Sequence, residues 1–339
     1  MCLLQFSFIA LYLLKSGQAS TGDRDYAFQQ CVAVCESTGC VDLEPVKLSK
    51  ECNVACPLSN GRAVPLTLRL FKWSCQDDCR YCCMSLRKLR TIDGLDGSAV
   101  KYFGKWPFQR LLGMQELLSV VFSLANLAAH AQNLFKLWSA CSSGAGATEV
   151  NSVQGLWMVY SLTSINAWWW SAVFHARDTY VTERFDYLSA DVSIMAGLYV
   201  SIVRTCACQR VHSRLLLALL LMLVTGWHFH HMLLVKFDYG FNVSVCVAIG
   251  ILQQLMWCTW ALRHDHPQKW QLVWFVVLIN AALSLEILDF SPLVGLLDAH
   301  AMWHLCTIPL TYMWYSFVLT DVKWAVQTDP QQRSTGKQQ

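Results

Sequence analysis

The chain has 339 residues, of which 55% are apolar and 14% charged, with a formal net charge of +3. Soluble domains run nearer about 25% charged, and here the 212 residues from 111 to 322 hold only 21 of the 49 charges. These figures exclude a water-soluble globule of this length, and so small a net charge with no polybasic run gives no electrostatic footprint for nucleic acid.

Residues 3–14 form a short apolar run followed by the small residues of Gly17-Gln18-Ala19-Ser20. A bilayer span takes about 20 residues, so 1–20 reads as a signal peptide, although no Lys or Arg precedes the apolar run. An uncleaved anchor is the alternative, and either form delivers the adjoining segment to an oxidising lumen. Residues 21–110 carry nine of the 16 cysteines, at 31, 35, 40, 52, 56, 75, 79, 82 and 83. In that compartment they read as a disulfide framework stapling a domain too small to bury much core, rather than as a zinc ribbon. Nine is odd, and Cys82 beside Cys83 is the candidate for the one left over.

Apolar segments follow near 111–131, 154–174, 187–203, 215–235, 243–262, 270–288 and 293–318. With short loops between them they predict an all-α membrane protein, a seven-transmembrane-helix bundle over 111–322, with the disulfide-rich domain on the lumenal side and a cytosolic tail at 323–339. Trp and Tyr gather near segment ends, as at an interfacial belt. Counting from a lumenal N-terminus, the cytosolic loops and tail hold nine Lys or Arg residues, and the lumenal loops hold Arg177, Arg184 and Lys236. The positive-inside rule agrees; Lys101, Lys105 and Arg110, just before the first helix, run against it. The sequon Asn242-Val243-Ser244 falls on the lumenal side but hard against the fifth helix, a poor place for glycosylation.

Ionisable residues inside a bilayer are costly and point to function. The second helix ends at the lumen with Ser171 and His175, four apart on one face. Asp186 is expected to open the third helix at the same depth. Near the lumenal start of the seventh lie Asp298, His300 and His304, the two histidines again four apart. Three neutral imidazoles with an open fourth position make a catalytic zinc site. Zinc there would activate water or polarise a carbonyl oxygen. Asp186 would serve as general base, and Ser171 as hydrogen-bond donor to a developing oxyanion or as nucleophile. Asp298 is expected to orient His300 or His304 from behind. The reaction class is hydrolysis of an ester or amide in a lipid. The competing readings are plain: H-x-x-x-H arises by chance, Ser171 can bond its own helix, and Asp186 can be a helix N-terminal charge. Imidazole also takes divalent ions other than zinc. His228, His230 and His231 read as polar decoration at the headgroups, and His264 and His266 as solvated loop residues. His130 and His212 are assigned no role. Asp191 faces the bundle interior and is a candidate support for the site.

The constellation Ser171, His175, Asp186, His300 and His304 resembles that of the CREST superfamily of seven-helix metal hydrolases, which includes alkaline ceramidases and adiponectin-receptor-like proteins. Longer stretches resemble the post-GPI-attachment-to-proteins factor 3 family: Phe103-Gly104-Lys105-Trp106-Pro107-Phe108, Phe174-His175-Ala176-Arg177-Asp178-Thr179, Phe237-Asp238-Tyr239-Gly240, Asp298-Ala299-His300-Ala301-Met302-Trp303-His304, and the run from Trp73 to Cys83. The resemblance covers signal peptide, Cys-rich domain and all seven helices. Among the cysteines it matches Cys31, Cys35, Cys40, Cys75, Cys79 and Cys83, while Cys52, Cys56 and Cys82 are extra, which leaves the pairing open. It implies a Golgi-membrane hydrolase that removes the unsaturated sn-2 acyl chain from the anchor of GPI-anchored proteins, a phospholipase A2-type step. Two other readings stand beside it: a ceramidase-like lipid amidase, against which the long Cys-rich domain counts, and a heptahelical receptor or chaperone with a structural zinc.

Overall fold

A computed structural model describes residues 20–39, 65–90, 100–142, 148–206 and 210–328. The expected signal peptide lies almost wholly outside these residues, as do Cys40, Cys52 and Cys56. The described residues form a small helical head and a bundle of long helices, with no strand beyond isolated bridges.

In the head, α1 (Tyr26–Gly39) and α3 (Cys75–Arg90) pack together, with the short α2 (Leu66–Leu70) before α3. Cys31 bonds Cys83 and Cys35 bonds Cys79. The partners run in opposite order, so the helices are antiparallel, and the four-residue spacing sets both rungs on one face of each helix. Cys75 is also disulfide-bonded, and the buried Cys82 is in neither rung. Phe28, Leu68, Trp73, Tyr81, Met84 and Tyr102 fill the remaining core.

Seven helices of 20 or more residues follow among the described residues: α4 (Leu117–Ser142), α5 (Thr148–Ala176), α6 (Tyr180–Thr205), α7 (Val211–His230), α8 (Tyr239–Arg263), α9 (Lys269–Leu288) and α10 (Ala299–Thr328). Five of them, α4, α6, α7, α8 and α9, are long and apolar enough to cross a membrane. The two that fall short, α5 and α10, carry Ser171, His175, His300 and His304. Trp, Tyr, Ser and Thr side chains spread along both helices dilute their hydropathy. The fold is that of an all-helical membrane protein, with lipid-facing apolar side chains such as Leu216, Met222 and Leu223 on α7 left exposed.

Six of the seven helix starts differ from the sequence expectation by four to seven residues, α5, α7 and α8 beginning earlier at Thr148, Val211 and Tyr239, and the other three have a visible local cause. The first long helix begins at Leu117, because residues 111–114 form a tight turn with Leu112 and Gly113 at positive φ. A side chain at Gly113 would meet the Thr67 carbonyl oxygen at 2.9 Å, and its φ of +81° suits glycine alone. The third begins at Tyr180, where Thr179 and Thr182 form a capping box. The last begins at Ala299, after a turn over 293–297.

Head and bundle are joined at Trp73. Its ring lies between the guanidinium groups of Arg110 (4.4 Å) and Arg177 (4.1 Å). Its indole N–H donates to the Gly113 carbonyl at 2.9 Å. Arg110 pairs with Asp78 and Arg177 with Asp77, each at 2.7 Å. At the opposite end of the bundle Trp157, Trp257, Trp260, Trp314 and Phe317 form an aromatic core. The site lies at the head end.

Candidate metal centre

Three helices meet where the head docks. The last two turns of α5 supply Ser171 and His175, and the first two turns of α10 supply His300 and His304. The chain entering α4 is stitched to the end of α5, since the N–H groups of Gln115 and Glu116 donate to the carbonyls of Ala176 and His175, both at 3.1 Å. Carbonyls at a helix end otherwise lack partners. This stitch sets Glu116 directly behind His175.

His175, His300 and His304 converge so that one ligand atom from each lies within 4.8 Å of the others. Each Nδ1 is engaged from behind: His175 by Glu116 at 2.6 Å, His300 by Glu286 at 2.8 Å, and His304 by the Ser123 hydroxyl at 3.0 Å. A carboxylate only accepts, so it takes the Nδ1 proton of a neutral imidazole and leaves Nε2 bare. Nε2 of His175 and Nε2 of His300 face one another at 3.2 Å. Two bare lone pairs at that distance repel unless a proton or a metal cation lies between them. Two imidazole nitrogens on one tetrahedral zinc, each about 2.0–2.1 Å from it, stand about 3.3 Å apart. The donor set therefore fits a zinc-like ion.

Behind His175 the electrostatics are closed. Lys105 bonds Glu116 and Asp178, both at 3.0 Å, and lies over the Phe174 ring. Burial pushes the Glu116 carboxyl up, but the Lys105 ammonium and His175 outweigh it and hold the group well below the usual carboxylate range. Glu116 thus stands as a permanent anion under the ligand it orients.

The sequence-predicted residues fall into three groups. His175, His300, His304 and Ser171 come together: the Ser171 hydroxyl lies 3.0 Å from that of Ser123, which also contacts His304. Asp186 stands nearly two turns inside α6 rather than at its start, within electrostatic reach of His300 and Lys105. Asp298 differs from its expected role. Its Oδ1 accepts the Ala301 N–H at 2.8 Å, which caps α10, and the imidazoles are oriented by Glu116, Glu286 and Ser123 instead.

Sequence reasoning misses these three residues, although a signal for two of them is present. Glu116, Ser119, Ser123, Asn126, His130 and Asn133 recur at three- and four-residue spacing along α4 and its approach, and all are buried. This polar stripe on an apolar helix faces α10, where Asn126 reaches the His304 carbonyl and Thr307, and His130 meets the Tyr315 hydroxyl at 2.9 Å.

The other histidines correct expectations too. His228 is buried, not headgroup decoration. With its amide turned to suit its neighbours, Asn242 donates to His228 Nε2 (2.7 Å) and Asp191 Oδ2 (3.0 Å), and Cys246 donates to Asp191 at 3.0 Å. Asp191 is therefore engaged in this cluster between α6, α7 and α8. Asn242, buried and bonded, does not present its sequon. His266, expected in solvent, is 2% exposed and packed among Trp260, Phe317 and Trp324.

A model of the Per1-like family matches residues 65–322. A Xenopus laevis protein named "GPI-specific phospholipase A2-like PGAP3" is 35% identical over 93% of this chain and 94% of its own. A Drosophila melanogaster protein named "Post-GPI attachment to proteins factor 3" is 35% identical over 90% of each chain. The Schizosaccharomyces pombe "Protein PER1 homolog" is 32% identical over 93% of this chain and 91% of its own. No solved structure matches. The match across head and bundle, together with full-length relatives above 30% identity, places this chain in the Per1-like family.

Proposed function

We propose that this protein remodels GPI-anchored proteins by hydrolysing the sn-2 fatty acyl ester of the anchor at a lumen-facing zinc site in the Golgi membrane, with the C-terminus cytosolic. The names of the relatives support the substrate. The observation that carries the chemistry is the triad of imidazoles whose Nδ1 atoms are all held from behind. The oxidised head supports the lumenal side, as does the distribution of Lys and Arg between the loops.

His175, His300 and His304 would hold the ion. Bound there, zinc supplies Lewis acidity toward a carbonyl oxygen and eases deprotonation of water. The protein's own groups do the rest. With the ion bound, the His304 Nδ1 would carry the ring proton and donate to Ser123 Oγ, 3.0 Å away. The Ser123 proton then points to Ser171 Oγ, 3.0 Å away. That leaves the Ser171 O–H free to donate to the ester carbonyl oxygen as it gains charge. Asp186 takes the proton of the attacking water and returns it to the leaving alkoxide. The acyl C–O bond breaks, water supplies the new oxygen, and a free fatty acid and a lyso anchor result.

The test is His300→Ala in cells lacking the native protein. The sn-2 acyl chains of GPI-anchored proteins are expected to stay unremodelled, and purified protein is expected to lose bound metal. Normal remodelling by the variant sinks the proposal. Metal loss with remodelling intact would point to a structural ion instead.

A further inference from the structure

Three tight turns among the described residues share one form, a large apolar residue followed by glycine, both at positive φ. They are Phe103-Gly104, Leu112-Gly113 and Val294-Gly295, with the apolar residue at +49°, +54° and +53°. A turn whose two central residues both have positive φ ordinarily takes Asn, Asp or Gly at the first. A bulky or β-branched side chain is strained there. Leu112 is nevertheless 66% exposed and Val294 91% exposed. In water each tip costs free energy twice, in backbone conformation and in apolar surface, and asparagine would relieve both. An apolar surrounding turns the second cost into a gain.

Phe103 is the contrast. Its ring packs on Phe28 at 5.9 Å, and the N–H groups of Phe103 and Gly104 donate to Asp23 and Ser20 at 2.6 and 2.7 Å. That tip is held within the head. Leu112 and Val294 project from the rim of the bundle instead, ahead of α4 and α10.

The two tips belong to one continuous rim. The Gln109 N–H donates to the Gly295 carbonyl at 2.8 Å, and Leu111 and Met114 close the next turn with bonds in both directions. That turn lies against α2, since a side chain on Gly113 would meet the Thr67 carbonyl and the Phe71 ring. On α2, Leu68 is buried in the head, whereas Leu66 and Leu70, four apart on the other face, are exposed. Arg69 and Lys72 beside them are exposed too. Apolar side chains flanked by cations suit the boundary between acyl chains and phosphates, because the long basic stems reach up to the headgroups.

The rim also continues surfaces that face lipid. On α4 the exposed residues Val121, Leu124, Ala128 and Phe135 recur at helical spacing, and on α9 so do Trp274, Leu278, Ala281 and Leu288. Both helices are long and apolar enough to cross a membrane. The α4 stripe runs up toward Leu112, and the α9 stripe ends at Leu288, just before Val294.

We propose that Leu66, Leu70, Leu112, Leu293 and Val294 form a collar that dips into the leaflet on the head's side of the membrane, docking the head on lipid and fixing the depth of the triad. The turn at Leu112 leads directly to Glu116, and that at Val294 to His300, so seating the tips sets the level at which the imidazoles meet the bilayer. The collar stands whether or not the triad hydrolyses an ester.

The test places a fluorescent amino acid, one site at a time, at Leu70, Leu112, Val294, Phe103 or Met222 of the full chain, reconstituted as one copy per phosphatidylcholine nanodisc. Met222 on α7 is the reference within lipid, and Phe103 the reference outside it. Elements lying in the interface sit about 5–10 Å into the headgroup boundary, so the quencher is a lipid nitroxide near the glycerol end of the acyl chain. Sites 70, 112 and 294 are expected to be quenched several-fold more than site 103, and to resist iodide in the aqueous phase as site 222 does. Iodide quenching at 112 and 294 equal to that at 103 overturns the collar, whether water, a second copy or another protein is the natural neighbour. A second variant guards against a reporter that disturbs its own turn. Leu112→Asn with Val294→Asn keeps both turns, since asparagine accepts positive φ, and the reporter at site 70 is then expected to lose most of its lipid quenching. Lipid quenching at 70 unchanged in that variant means that the tips do not dock the head.

Discussion

Glu116 shows what single residues do in a low-dielectric site. One oxygen takes the His175 Nδ1 proton and the other the Lys105 ammonium, so the anion is paired on both sides and costs little to bury. Removing its charge acts on the metal through His175. Glu116→Gln keeps the shape but is expected to lower metal affinity about 10–100-fold, read by chelator competition on purified protein. Affinity unchanged in that variant removes Glu116 from this role. Glu116 and Ser123 are legible in the sequence only as members of the polar stripe along α4, and the stripe does not say which histidine each one meets. Glu286 is inconspicuous because a lone polar residue in an apolar segment does not announce its partner, which lies 14 positions away. The histidines are legible for the opposite reason. Four-residue spacing is a local property, and it survives in any helix.

At the scale of elements, capping chemistry decides what hydropathy leaves open. Thr179 and Thr182 start α6 well ahead of its apolar run, and Asp298 starts α10 after it. Both shifts change what a carboxylate does: Asp186 moves inside a helix, and Asp298 becomes a cap. The peripheral helix α7 is a second case. Only 11% of its apolar window is buried, so lipid meets most of its surface and dispersion against neighbours holds it weakly. The buried His228–Asn242–Asp191 cluster is its polar anchor. His228→Leu takes away the acceptor of a buried Asn242 N–H and is expected to cost about 0.6–2 kcal/mol, read as a lowered thermal midpoint in detergent with metal content unchanged. A midpoint equal to that of the unsubstituted protein refutes the anchor.

For the whole molecule, the head is part of the site's support. Arg177 follows His175 by two residues and is gripped by Trp73 and Asp77 of the head, while Lys105, between head and bundle, holds Glu116. Trp73→Ala removes a buried aromatic, two guanidinium stacks and the bond to Gly113. It is expected to destabilise the junction by about 3–5 kcal/mol and to expose residues near 100–116 to protease while the bundle stays helical by circular dichroism. Protease resistance unchanged by the substitution would mean that the head is held elsewhere.

By itself the sequence determined the class of the protein, a charge-poor helical body behind a cysteine-rich segment, because hydropathy and composition are properties of the chain that no packing alters. It also determined the two i, i+4 pairs, Ser171 with His175 and His300 with His304, because helical periodicity is local. Tertiary structure alone decided which groups stand behind the imidazoles, which cysteines pair, and that the head docks against the end of the bundle that carries the triad. Those are meetings between residues up to 181 positions apart, and they depend on how helices pack and where caps begin them, which no local pattern encodes.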